Sequence, residues 1–282
     1  MQVNSEWKDY EVIATGDGNK LERWDKYVLL RPDPQVIWPE SFPLENYKGL
    51  TAKYVRSATG GGHWEYLEPM PENFTVSWRN LTFKLKLMGF KHTGLFPEQA
   101  VNWDFTGNLI RNAPKPLKVL NLFAYTGGAS LAARAAGAEV THVDSVKPVV
   151  GWARENMEAS GLDGVRWIVD DALKFVRREV KRGKTYHGIV LDPPAYGRGA
   201  DGEKWVLEEH INEMLSLCGE LLEPQNGFLV LNLYSMGLSA LLARSAVRQL
   251  VGACSAEQFG ELYFTDPFGK ALPLGVYYRC AR

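Results

Sequence analysis

Between residues 117 and 251 the chain repeats one pattern, a short apolar run that reads as a buried strand followed by an amphipathic stretch that reads as a helix. The strand runs fall at 117–123, 139–144, 165–169, 187–192 and 227–233, and the helical stretches at 128–136, 147–160, 171–182, 203–222 and 237–251. Strands separated by helices cannot close as hairpins. Each helix must cross one face of a sheet, which makes the strands parallel and the crossovers right-handed. Two late apolar runs, near 257–264 and 275–280, complete a seven-strand count. The expected fold class is α/β, a seven-stranded Rossmann-like sheet within residues 91–282.

Residues 1–90 follow a different pattern and are expected to form a small β-rich N-terminal domain. Six of the nine tryptophans, Trp7, Trp24, Trp38, Trp64, Trp78 and Trp103, precede residue 110, and no long 3.6-residue period is present. In Thr82 to Met88 the apolar Phe83, Leu85 and Leu87 alternate with Lys84 and Lys86, the signature of a half-buried strand. Phe74 to Trp78 is its expected hairpin partner, through Arg79-Asn80-Leu81. The run Ala58-Thr59-Gly60-Gly61-Gly62-His63 is expected as a loop.

At 282 residues and 45% apolar, the chain can bury a substantial core. With 32 basic and 33 acidic residues, its net charge of -1 removes any argument for polyanion binding from bulk charge. Any such contact must be local. Cys218, Cys254 and Cys280 are odd in number and far apart, which suggests neither a disulfide framework nor a zinc site. His63, His92, His142, His187 and His210 show no metal-ligand spacing, so no metal is expected and each histidine reads as structural. The start MQVNSEWKDYEV lacks the form of a signal peptide, and no run approaches membrane-span length. A soluble, cytoplasmic protein with no membrane partner is the expectation.

Polar groups gather where the apolar runs end, the place at which open α/β sheets bind ligands. After 117–123 comes Tyr125-Thr126-Gly127-Gly128, a sharp turn into a helix in which glycine lets backbone approach a ligand. Asp144 follows Gly127 by 17 residues and ends the next strand, where a carboxylate can accept from both hydroxyls of a ribose, or cap the helix that starts near Lys147. Asp171-Ala172 offers a carboxylate and an amide for an adenine edge, and Asp171 also suits a helix N-cap. Asp192-Pro193-Pro194-Ala195-Tyr196 forms a stiff corner of acceptors, because two prolines remove two backbone donors. Tyr196 is placed either to stack a flat acceptor base or to pack into the core.

Together these groups suit S-adenosylmethionine beside a flat acceptor that brings N–H groups. A dinucleotide site would prefer GxGxxG, yet Tyr125 stands at the first glycine position, which counts against NAD(P)-dependent oxidoreduction. Gly197 to Gly202 reads as a mobile lid or a connector, with Arg198 available for a phosphate. The basic run Lys174, Arg177, Arg178, Lys181, Arg182 and Lys184 reads as a solvated helix face or as a phosphate contact.

On the segments Thr93-Gly94-Leu95-Phe96-Pro97-Glu98-Gln99, Asn121 to Gly128, Asp144, Asp171-Ala172 and Asp192-Pro193-Pro194, the chain resembles the bacterial class I S-adenosylmethionine-dependent methyltransferases related to the 23S ribosomal RNA cytosine-C5 and guanine-N7 enzymes. The resemblance covers about residues 85 to 282 and implies their sheet, cofactor and RNA substrate. It also implies that Phe96 and Gln99 lie against the cofactor; from the residues alone, Pro97 to Asn112 reads as an amphipathic helix packing on the core. The cofactor set is then Phe96, Gln99, Phe123, Ala124, Tyr125, Thr126, Gly127, Asp144, Ser145, Asp171, Ala172 and Asp192, and the acceptor set is Asp192, Pro193, Pro194 and Tyr196.

Two departures shape the expectation. The RNA-binding PUA domain of those ribosomal enzymes is not evident. Where the cytosine-C5 relatives carry a nucleophilic cysteine, this chain reads Asn232-Leu233-Tyr234-Ser235-Met236-Gly237, and Ser235 is a far poorer nucleophile than a thiolate. Methylation of RNA at a base nitrogen is therefore expected, with a protein or small-molecule substrate as the alternative. A catalytically silent RNA-binding module is a further alternative.

Overall fold

In the computed structural model, residues 6–57, 61–199, 202–234 and 237–282 are described. Two compact units partition the chain, one made of Gln2–Glu98 with Tyr263–Leu274 and the other of Gln99–Leu262 with Gly275–Arg282.

In the first unit, β1 (Tyr10–Gly16), β2 (Asn19–Trp24), β3 (Tyr27–Pro32), β4 (Leu50–Arg56) and β5 (Gly62–Tyr66) make a five-stranded sheet in that order. All neighbours pair antiparallel except β3 and β4. The expected hairpin is present as β6 (Phe74–Trp78) and β7 (Leu81–Leu85), with Trp78 facing Leu81 and Arg79 at a φ of 53° in the tight turn. Leu87 and Met88, expected to extend that strand, lie beyond its end.

This unit buries charge as well as apolar surface. Glu22 is fully buried and accepts from Arg31 Nε at 2.6 Å, Arg31 Nη2 at 2.9 Å and Tyr10 Oη at 2.6 Å. Burial opposes its ionisation, and the Arg31 guanidinium and Lys20 overcome that, holding the carboxyl down at about 2. Glu98 is also buried, and burial pushes it up to about 7.

In the second unit, a 3-10 turn (Pro97–Gln99) leads into α1 (Ala100–Arg111). There follow β8 (Lys118–Leu122), α2 (Gly128–Ala135), β9 (Glu139–Asp144), α3 (Lys147–Ala159), β10 (Arg166–Val169), α4 (Ala172–Lys181) and β11 (Gly188–Leu191). The chain continues through β12 (Tyr196–Arg198), β13 (Lys204–Val206), α5 (Leu207–Leu221), β14 (Phe228–Leu233), α6 (Ala240–Leu250), β15 (Ala256–Thr265) and β16 (Ala271–Ala281). The seven-stranded sheet runs β10-β9-β8-β11-β14-β16-β15. Its first five strands are parallel, and β16 is antiparallel to β14.

Alternate strand residues feed two cores, which is why the strand runs are apolar throughout. Leu120, Leu122, Leu191 and Leu231 pack with Phe175 of α4, Met214 of α5 and Val247 of α6. Val119, Val140, Val190 and Val230 pack on the opposite face with Ile110 of α1 and Ala133 of α2.

Two further expectations are corrected. The stretch 203–222 begins as β13, and its helix starts only at Leu207. Cys254 and Cys280 are disulfide-bonded across 26 positions, a pairing that spacing could not reveal because β15 and β16 intervene to bring them together. Among the described residues no helix is long and apolar enough to cross a membrane.

The raised Glu98 makes a pH dependence. A carboxyl held above its ordinary value favours folding in its protonated form, so its contribution is fully present below that ordinary value and is lost as the pH rises through about 7. Thermal melts across this range are expected to show a smaller alkaline loss of midpoint for Glu98→Gln than for the wild-type protein.

Candidate active site

Strand register sets the site. Leu122 pairs with Leu191 on one side and Val143 on the other, and Leu191 pairs with Leu231. Asp144, which follows Val143, pairs with Val169. One step beyond this level, Val169, Asp144, Phe123, Asp192 and Asn232 form a row along the C-terminal edge. Between β8 and β11 the strand order reverses, the position at which open sheets of this kind hold ligands.

The loop after β8 is strained and fastened. Phe123, Tyr125 and Gly127 have φ values of 55°, 50° and 93°, and two of them are not glycine. Such a backbone persists only when its surroundings over-determine it. Ala124 N donates to Val143 O at 3.0 Å, Tyr125 N to Asp144 Oδ2 at 2.9 Å, and buried Asn156 of α3 donates to Thr126 O at 3.0 Å. Beneath it, Asn121 Nδ2 donates to Ser130 Oγ at 2.9 Å, and Ser130 meets His142 Nδ1 at 3.0 Å, which ties α2 to β8 and β9. Burial pushes His142 down to about 3, so it is neutral and structural. A Cβ on Gly128 would come within 2.6 Å of the Trp103 ring, so only glycine lets α2 approach α1 here.

Asp144 accepts from Tyr125 N through Oδ2 and from Val146 N at 2.9 Å through Oδ1. Burial raises its pKa, and these two N–H groups oppose the rise. Each oxygen keeps acceptor capacity for a further donor, so the carboxylate suits a vicinal diol. The capping alternative is realised only in part: the bond to Val146 is local, while that to Tyr125 crosses to the neighbouring loop. Ser145 is half-buried beside it.

Asp171 is the N-cap of α4 and accepts from Lys174 N at 2.8 Å. The buried Ala172 opens that helix. Gln99 belongs to this unit and is buried, whereas Phe96 belongs to the other, where it meets His92 edge-on at 5.6 Å. Gln99 Nε2 donates to Tyr234 Oη. Asn102 Nδ2 donates to Gln99 Oε1 at 3.0 Å and to Asn232 Oδ1 at 2.9 Å, and Arg279 Nη1 donates to Asn102 Oδ1 at 3.2 Å. Sequence reasoning missed Asn102, Asn232 and Arg279 as members of one buried network. The available signal was polar residues inside otherwise apolar runs, as in Leu231-Asn232-Leu233.

At the acceptor end, Tyr196 is 51% exposed, which removes the core-packing alternative. The Pro194 carbonyl accepts from Trp205 Nε1 at 2.7 Å, so it is engaged internally and does not belong to an open wall of acceptors. Trp205 is buried, with Phe123 against it at 4.7 Å. Instead of a plain loop, Tyr196–Arg198 pairs antiparallel with Lys204–Val206. Arg198 Nε donates to Tyr196 Oη at 2.9 Å. Ala200, Asp201 and Ser235 lie outside the described residues.

In the basic run, Lys174 pairs with Glu203 at 3.1 Å, Arg177 with Glu213 at 2.7 Å, Arg182 with Glu179 at 3.0 Å, and Arg178 with Asp170. Four of its six cations therefore stand in partly exposed ion pairs with nearby acids, as they would on a solvated helix face.

A doubly wound sheet whose row of tips joins a glycine turn to a diol-suited carboxylate defines a nucleoside-binding protein. Residues 33–254 match the family described as S-adenosylmethionine-dependent methyltransferase, and the chain belongs to that family. The family is defined by methyl transfer from S-adenosylmethionine, which counts against the oxidoreductase alternative. The crystal structure of a SAM-dependent methyltransferase from Agrobacterium tumefaciens is similar at 38% identity and a TM-score of 0.93, over 100% of this chain and 93% of that one. A Streptococcus mutans protein assigned to the same class shares the fold, with 18% identity and a TM-score of 0.75 over 99% of this chain and 76% of that one. The ribosomal RNA large subunit methyltransferase K/L of Shewanella oneidensis is 36% identical over 203 residues, which is 70% of this chain and 27% of that protein. The chain spans about a quarter of the length of the curated relatives it matches.

A side chain on Gly127 would be held at a φ of 93° with its Cβ 3.1 Å from Ala153 Cβ. Gly127→Ala is expected to cost about 1 to 2 kcal/mol of stability from the left-handed backbone alone. Chemical denaturation should show that loss, and calorimetry should show weaker S-adenosylhomocysteine binding.

Proposed function

We propose that the protein methylates RNA at a base nitrogen and works in the cytoplasm, where that substrate is found. One observation carries the choice of atom. Asp192 and the exposed ring of Tyr196 flank a proline corner, while none of the three cysteines offers a thiolate there. Cys218 is fully buried in α5 and burial pushes its thiol up to about 12. Cys254 and Cys280 are bonded to each other, and Cys280 sits beside Leu229, at the opposite end of β14 from its tip. Attack on a pyrimidine C6, which carbon methylation of cytosine requires, finds no thiolate here among the described residues. An RNA substrate is supported by the relatives named as ribosomal RNA methyltransferases.

The cofactor supplies a methyl group on a cationic sulfur and leaves as a neutral thioether, so alignment and desolvation matter more than acid or base strength. In this reading Asp144 accepts from the ribose hydroxyls. The backbone of Phe123, Ala124, Tyr125, Thr126 and Gly127 lines the nucleoside, with Ser145 adjoining. Asp171 and Ala172 meet the adenine edge, Asp171 keeping its capping bond, and Gln99 closes the set. Asp192 accepts a hydrogen bond from the N–H of the target nitrogen, which turns its lone pair toward the methyl group, and takes the proton that the methylated nitrogen must lose on its way to water. Pro193 and Pro194 hold that carboxylate in place, and Tyr196 stacks the base.

Asp144→Ala is expected to cost about 1.5 to 3 kcal/mol of S-adenosylhomocysteine binding by calorimetry, because a buried acceptor of two hydroxyls is lost. Since the acceptor must be ionised, wild-type binding should weaken as the pH falls through the raised pKa of Asp144. Incubation with methyl-labelled cofactor and total RNA should give label that nuclease releases and protease does not, on a nucleoside whose mass shows nitrogen methylation. Label that survives nuclease and is lost to protease would instead support the protein-substrate reading and refute RNA.

A further inference from the structure

The five-stranded sheet of the N-terminal unit ends at β5, and one face of that edge is aromatic and cationic. Strand alternation places Tyr54 and Arg56 of β4 on the same face as their partners Trp64 and Gly62 of β5, with Tyr66 next along. The segment from Lys86 to Thr93 is fastened to this edge. Trp64 Nε1 donates to Met88 O at 2.8 Å and Tyr54 Oη to Gly89 O at 3.2 Å. Arg31 Nη1 donates to Lys91 O at 2.9 Å and Lys91 Nζ to Pro32 O at 3.1 Å. Within the segment, Lys86 N donates to Thr93 O at 3.3 Å and Met88 N to His92 O at 3.2 Å, which closes it as a turn. Its apex is Phe90, 67% exposed, and Tyr66 is 57% exposed.

A large ring held in water on a fixed apex is pre-organised for a partner, because little further ordering is needed to bind. The surrounding charge selects the kind of partner. Lys20 meets Asp33 at 3.3 Å, and Arg31 is paired with the buried Glu22. Lys91 and the exposed Arg56 add two further cations, and Glu98 is only partly ionised near neutral pH. The field is felt at His92, which is pushed down to about 4 by burial and then by Arg31, Lys91 and Lys20.

We propose that this face binds a single-stranded segment of the RNA substrate, with unpaired bases stacked on Phe90 and Tyr66 and backbone phosphates at Arg56 and Lys91. The proposal rests on the RNA reading above and extends it to a second surface. Stacking needs an open base face, which a duplex hides, and it tolerates any sequence because every base has one. A protein partner would use the same rings without the phosphates.

The test is fluorescence anisotropy with the full chain and a labelled single-stranded oligoribonucleotide of about twelve nucleotides, within the span such surfaces cover. Phe90→Ala is expected to weaken binding about tenfold, as loss of one stacked base does. Arg56→Glu is expected to weaken binding and lower the salt slope by about 0.7, the value for one phosphate of a single strand. Both side chains are exposed, and both variants should keep wild-type melting and S-adenosylhomocysteine affinity. A duplex of the same sequence should compete poorly. Wild-type affinity in both variants, or equal competition by the duplex, overturns the proposal and turns the face toward a protein partner. If the wild-type chain methylates RNA while the variants bind normally, only this inference fails. If the wild-type chain neither binds nor methylates RNA, both readings fail together.

Discussion

The candidate active site depends on the parallel pairing of β8 with β9 on one side and β11 on the other. That pairing brings Phe123, Asp144 and Asp192 to one level although 69 positions separate the first from the last. It also fixes where the backbone must bend. The loop after β8 turns three times through left-handed conformations, at a cost for Phe123 and Tyr125 that glycine would not incur. Bonds to Val143, Asp144 and Asn156 hold it there. Asp144 therefore closes the strained turn while each of its oxygens keeps acceptor capacity for a further donor.

The second unit was largely legible in sequence because its central strands are buried on both faces and so stand out as continuous apolar runs. The hairpin of Phe74–Trp78 was legible for the opposite reason, since one wet face made it alternate. The sheet of β1 to β5 was not resolved strand by strand. Its strands carry charge in their interior, and Glu22 with Arg31 breaks the apolar signal that would mark β2 and β3.

The candidate residues at strand tips do lie along one edge of the sheet, because position in the alternating pattern alone marks them. Residues that act through long-range bonds are not so marked. Nothing in the sequence announces that Arg279 reaches Asn102 or that Gln99 reaches Tyr234, because each pair is more than a hundred positions apart. The basic run of α4 shows the converse. Its density left a solvated face and a phosphate contact both open, and Glu203 and Glu213, which lie later in the chain, meet Lys174 and Arg177. A cluster of like charge on one helix says little until the neighbouring elements are known.

The bond from the Trp205 indole to the Pro194 carbonyl braces the proline corner from behind. A shelf propped in this way has a fixed height and cannot sag to meet its guest. Any ligand that lies against this corner must take it as it stands, because a brace to the buried indole leaves it little freedom to move.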